Sequence, residues 1–165
     1  MTRCGPAIIL ACAFVASCGD SGGRTSPAQP ALSPATAGVA TEPASWQPSA
    51  KAVSAESADR TYLASWEPET GALPDAEPFN MRFAIRRIDG RPLAADVRFT
   101  VDAEMPHHGH GMNLVPTVTR AGLSNGQELL VASGMLLHMP GRWVLSLDTE
   151  EDGVLERTQW LIDVE

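Results

Sequence analysis

All four histidines of the chain fall in two short segments, and most of its methionines fall there with them. His107, His108 and His110 lie in Met105-Pro106-His107-His108-Gly109-His110-Gly111-Met112, and His138 lies in Met135-Leu136-Leu137-His138-Met139-Pro140-Gly141. Apart from Met1, Met81 is the one methionine outside these segments. Imidazole nitrogen suits copper, zinc, nickel and iron, while a thioether sulfur is soft and favours Cu(I) over hard cations. A His/Met set therefore points first to copper, with His107, His108, His110, Met112, His138, Met139 and Met105 as candidate ligands. Zinc is the second choice, held by three histidines with Glu104 as the carboxylate. A purely structural pattern is the alternative. Here the histidines bond backbone carbonyls, Met105 and Met139 pack at the edge of the core, and Met135 fills it.

The elements that must position these residues read as strands. Phe79, Met81, Phe83 and Ile85 alternate with Asn80, Arg82, Ala84 and Arg86, the period of two of a half-buried strand. Val97, Phe99 and Val101 repeat the pattern after an Asp89-Gly90-Arg91-Pro92 turn. Trp143, Leu145 and Leu147 repeat it again, followed by a Glu150-Glu151-Asp152-Gly153 turn and an inward face of Thr158, Trp160, Ile162 and Val164. Segments near Tyr62–Trp66, Val118–Arg120 and Glu128–His138 bring the total to about seven short strands with no convincing helix. That pattern predicts an all-β fold, an immunoglobulin-like β-sandwich over residues 60–165. Pro106 should end the strand before the His-rich loop, and Gly109 and Gly111 should let that loop bend tightly. His138 or Met139 completes a site with the loop if both segments lie at one end of the sandwich.

Nucleophile and phosphate-binding signatures are missing from the sequence, so a non-enzymatic protein is expected. The three cysteines are Cys4, Cys12 and Cys18. Arg3 is followed by an apolar run from Pro6 to Ala16, the length of a secretory signal core and short of the roughly 20 residues that span a bilayer. It ends in Val15-Ala16-Ser17-Cys18, which resembles the bacterial lipobox. Residues 1–17 are thus expected to be a lipoprotein signal peptide, with Cys18 taking the lipid. Asp20 stands one position later than the aspartate associated with inner-membrane retention. The expected location is accordingly periplasm-facing, lipid-anchored, and on the outer membrane in preference to the inner.

Cleavage at that point leaves a single cysteine in the mature chain, so neither an internal disulfide nor a cysteine-ligated metal is expected. Loss of Arg3 with the signal leaves 11 basic residues against 20 acidic ones and takes the formal charge from −8 to −9. An acidic chain without a basic cluster argues against nucleic acid as a partner. Residues 18–59 are rich in Pro, Ala, Ser and Thr, with Trp46 the only large aromatic, and are expected to form a disordered tether. As a coil of about 40 residues it would reach roughly 35 Å.

The Met105–Met112 block, Pro116-Thr117-Val118-Thr119, and Leu137-His138-Met139-Pro140-Gly141-Arg142-Trp143 together resemble the YtkA-like domain family, related to the periplasmic part of FixH-like proteins. The resemblance covers about Phe79 to Val164. It implies a small exported or membrane-anchored β-sandwich, with a link through FixH-like relatives to oxidase assembly and copper supply. Carried over by position, it implicates His108, His110 and Met112 in one block and His138 and Met139 in the other. His107 falls at a variable position. FixH-like proteins are usually held by a transmembrane helix, so the lipobox departs from that pattern. Two functions follow as expectations: a copper module exchanging metal with a donor or acceptor protein, or a metal-free interaction and assembly module at the envelope.

Overall fold

Strand periodicity governs the chain from the middle of the expected tether to its end. The computed structural model describes residues 46–165, so the signal segment and Cys18 lie outside the described residues. Among the described residues, nine strands form two antiparallel sheets. They are β1 (Val53–Glu56), β2 (Tyr62–Pro68), β3 (Phe79–Arg87), β4 (Arg98–Met105), β5 (His110–Gly111), β6 (Thr117–Ser124), β7 (Gln127–Met135), β8 (Gly141–Glu151) and β9 (Val154–Val164). One sheet runs β1-β2-β3-β7-β6 and the other β5-β4-β8-β9. With β1 and β5 set aside, the orders β2-β3-β7-β6 and β4-β8-β9 are those of the four- and three-stranded sheets of a constant-type immunoglobulin sandwich.

The expected seven strands are all present, and the two additions have local causes. The two-residue β5 arises because the His-rich loop folds back on β4, pairing Met105 with His110 and Glu104 with Gly111. The short β1 lies inside the stretch expected to be tether, where Val53–Glu56 pairs with Leu63–Trp66. The folded unit therefore begins before Arg60. Trp46 also packs, with the Arg82 guanidinium 5.5 Å from its ring centre, a cation–π contact on the sheet's outer side. Composition alone hid this, because low apolar content says nothing about a few residues completing a sheet edge.

Core and turns follow the alternation. β4 buries Val101, Ala103 and Met105 while exposing Thr100, Asp102 and Glu104. β9 buries Glu156, Thr158, Trp160 and Ile162 on one face. Val101, Ala103, Met105, Trp160 and Ile162 meet Phe83, Ile85, Leu130, Trp143 and Leu145 in one continuous core, where the Phe83 and Trp160 rings pack tilted at 48° with centres 6.0 Å apart. The β8–β9 hairpin closes through Asp152 and Gly153, both with positive φ, as the two-residue turn that matches strand twist requires. Val97 is buried but precedes β4, so this strand starts one residue later than its alternation suggests.

Candidate metal site at one end of the sandwich

The strand pairings bring the two His/Met segments to the same end of the fold. β4 ends at Met105, ahead of Pro106, which cannot donate to a continuing ladder. Pro106–Gly109 then form the turn, with Gly109 at φ +64° and the His108 amide donating to the Met105 carbonyl at 3.0 Å. The Met112 amide donates to the Ala103 carbonyl at 3.1 Å and fixes the returning strand. β8 begins at Gly141 and runs beside β4 with Glu104 opposite Val144. Residues 136–140 thus arrive next to the loop that leaves β4. Contact between the segments is direct: a Cβ at Gly141 would stand 2.9 Å from the Met105 methyl.

The candidate residues divide by depth. His107 and His108 on the turn and His110 at the start of β5 are exposed, and the His108 and His110 rings lie nearly parallel with centres 6.5 Å apart. Met112, His138 and Met139 are half-buried, and both methionines pack against the core. Met105 is 1% exposed and belongs to the core itself, as does Met135. Glu104 lies on the opposite face of β4 from Met105, exposed to the outside of the sandwich. It is thereby separated from the half-buried donors, which weakens the zinc arrangement that depended on it. Among the described residues no three His, Cys, Asp or Glu side chains form a group able to hold a metal ion. A metal at this end would have to use thioether sulfur.

His138 is the unusual member. Its Nδ1 is buried with no hydrogen-bond partner among the described residues. The ring meets Trp143 edge-on, centres 5.7 Å apart at 72°. The Trp143 Nε1–H donates to the Met139 carbonyl at 3.0 Å and so pins the turn that carries both His138 and Met139. Trp143 is fully buried. In the sequence it reads only as an inward strand residue, and its second task as a brace leaves no periodic signal. Its position five residues after His138, across a Pro-Gly turn, is the available clue.

Titration elsewhere is governed by a different cluster. Burial pushes the Glu156 carboxyl up, but hydrogen bonds from Ser57, Thr61 and Asp59 outweigh it and hold the group below its ordinary range. Burial pushes the Tyr62 hydroxyl well above its ordinary value, and its 2.6 Å hydrogen bond to Glu151 adds to the effect. Both groups tie strands together: Glu156 joins β9 to the β1–β2 turn, and Tyr62 joins β2 to β8.

Fold and site together define an immunoglobulin-like β-sandwich with a His/Met cluster at one end. Against models of protein families, curated proteins and solved structures, the chain has no match.

Proposed function

We propose that this protein is an envelope lipoprotein of YtkA-like type that binds copper through its His/Met end, for delivery to or sequestration from a partner protein. The carrying observation is the convergence of Met105–Met112 and His138–Gly141 at one end of the sandwich, where the His138 Nδ1 is buried without a partner among the described residues. Half-buried thioethers at the same end of the fold as the imidazoles suit a soft cation better than a hard one. An exposed His108/His110 pair beside them gives a metal a first point of attachment from solvent or from a donor protein. Cys18 supplies the lipid anchor, and the chain faces the periplasm, on the outer membrane in preference to the inner.

The test is anaerobic titration of the unlipidated chain from Gly19 onward with Cu(I) against a competing chelator. About one equivalent bound in competition is the expected result, with weaker binding in the His108→Ala/His110→Ala double variant. Failure of the wild-type chain to compete at any concentration removes the copper reading. The metal-free interaction module would then take its place, with partner capture altered by the same double variant.

A further inference from the structure

At the other end of β3 and β7 from the His/Met cluster, a cleft of about 310 Å³ lies between the β3–β4 loop and the β6–β7 hairpin. Arg86, Arg87 and Arg91 line it together with Leu93, Leu123 and Glu128. Two tight turns shape its rim. Gly90, at φ +78°, donates its amide to the Arg87 carbonyl at 3.3 Å. Asn125 and Gly126, both with positive φ, make a two-residue hairpin turn that sets Leu123 across from Glu128. The charges around the cleft do not cancel. Arg87 pairs with Glu151 and Asp89, Arg91 with Asp89, and Arg120 stands 3.8 Å from Glu128. Among the described residues Arg86 has no carboxylate partner, and its one hydrogen bond runs from Nη1 to the Arg87 carbonyl at 3.2 Å. Arg86 is half-buried, so its charge is partly withdrawn from water while most of its N–H donors are uncommitted. On the same cleft Leu123 shows the opposite mismatch, an apolar side chain 75% exposed.

We infer that this cleft binds a small organic carboxylate, with Arg86 donating to the carboxylate and Leu93 and Leu123 covering a short apolar chain. One uncompensated guanidinium matches a monoanion, whereas a phosphate dianion or a nucleic-acid strand calls for further free positive charge. The planar guanidinium offers two parallel N–H donors, the geometry that a carboxylate accepts best. The volume stands at the low end of the roughly 300–1,000 Å³ of small-molecule pockets, which suits a chain of a few carbons. The site shares no residue with the His/Met end and does not depend on the copper reading.

The experiment titrates the unlipidated chain from Gly19 onward, labelled with 15N-arginine, with three probes: sodium hexanoate, sodium acetate and inorganic phosphate. Hexanoate should move the Arg86 side-chain Nε resonance more than those of Arg98 and Arg142, which sit elsewhere in ion pairs with Glu150 and Asp163. It should bind about tenfold more tightly than acetate, because only its chain can cover Leu123, and more tightly than phosphate. Arg86→Gln and Leu123→Ser should each weaken hexanoate binding about tenfold. Arg86→Lys, which keeps the charge and loses the planar fork, should also weaken it, and Arg98→Gln should bind as the wild type does. An Arg86 resonance that hexanoate leaves unmoved overturns the inference in the unmutated protein, whether or not any variant folds. Equal affinity for hexanoate and acetate, or tighter binding of phosphate than of hexanoate, overturns it as well.

Discussion

Replacing Gly141 with alanine should destabilise the sandwich where the two His/Met segments touch. Two effects act at once. Gly141 has φ +126°, a backbone conformation that L side chains rarely adopt, so any Cβ carries strain of about 1–3 kcal/mol. The added carbon would also stand 2.9 Å from the Met105 methyl. Met105 is 1% exposed and enclosed by the core, so its methyl has no solvent to swing into, and overpacking of this kind costs about 1–3 kcal/mol. Together the substitution should cost about 2–6 kcal/mol, a large part of the 5–15 kcal/mol typical of a domain. Urea denaturation followed by tryptophan fluorescence measures it. A double-mutant cycle with Met105→Ala separates the two effects. Met105→Ala alone should cost about 2–5 kcal/mol through its cavity. In that background Gly141→Ala should cost only its backbone strain, giving a coupling of about 1–3 kcal/mol. Additive effects within about 0.5 kcal/mol would show that the segments do not press on each other and would undo the argument that they form one structural end.

The remaining predictions concern the other end of the chemistry and the anchor. Glu156 is 6% exposed and accepts hydrogen bonds from Ser57, Asp59 and Thr61, so Glu156→Gln should cost about 1–3 kcal/mol at pH 7 in the same denaturation assay. Its folded-state pKa lies below the unfolded value near 4.5, so its contribution is complete above that pH and fades as pH falls through the folded value. The wild type should therefore lose part of its advantage over Glu156→Gln below about pH 4; a gap between the two that is constant from pH 7 to 3 would contradict the assignment. Cys18→Ser should abolish lipid labelling in cells and release the chain from the membrane fraction, whereas unchanged membrane association would remove the lipobox reading.

Much of the fold was legible because its information is local. The alternation in β4 and β9 is strict enough that each inward residue named from the sequence in β9 is buried or nearly so, while in β3 and β8 the small outward residues Ala84 and Ser146 are buried as well. What was not legible depends on pairing across the chain. β1 carries no large apolar residue beyond Val53, and it becomes a strand only because β2 offers it a free edge. The same holds for Trp46, which packs because Arg82 is there to meet it. At the candidate site, sequence grouped the His and Met residues by type but gave no depth. Met105 and Met112 look alike in the motif, yet the parity of β4 sends Met105 into the core, while Met112 follows β5 and stays at its edge.

That difference in depth bears on whether the end can bind a ligand without depending on it for stability. A core methionine such as Met105 is needed for packing, and moving its sulfur toward an ion would open a cavity. Met112 and Met139 contact the core but keep a partly exposed side, so their thioethers have freedom to turn. The rigid parts are the ones that should be rigid: Trp143 is fixed in the core and braces the His138–Met139 turn through its Nε1–H. The sandwich closes its core without any residue exposed on the Pro106–Gly109 turn. Changing the histidines of this loop should therefore leave stability nearly unaltered.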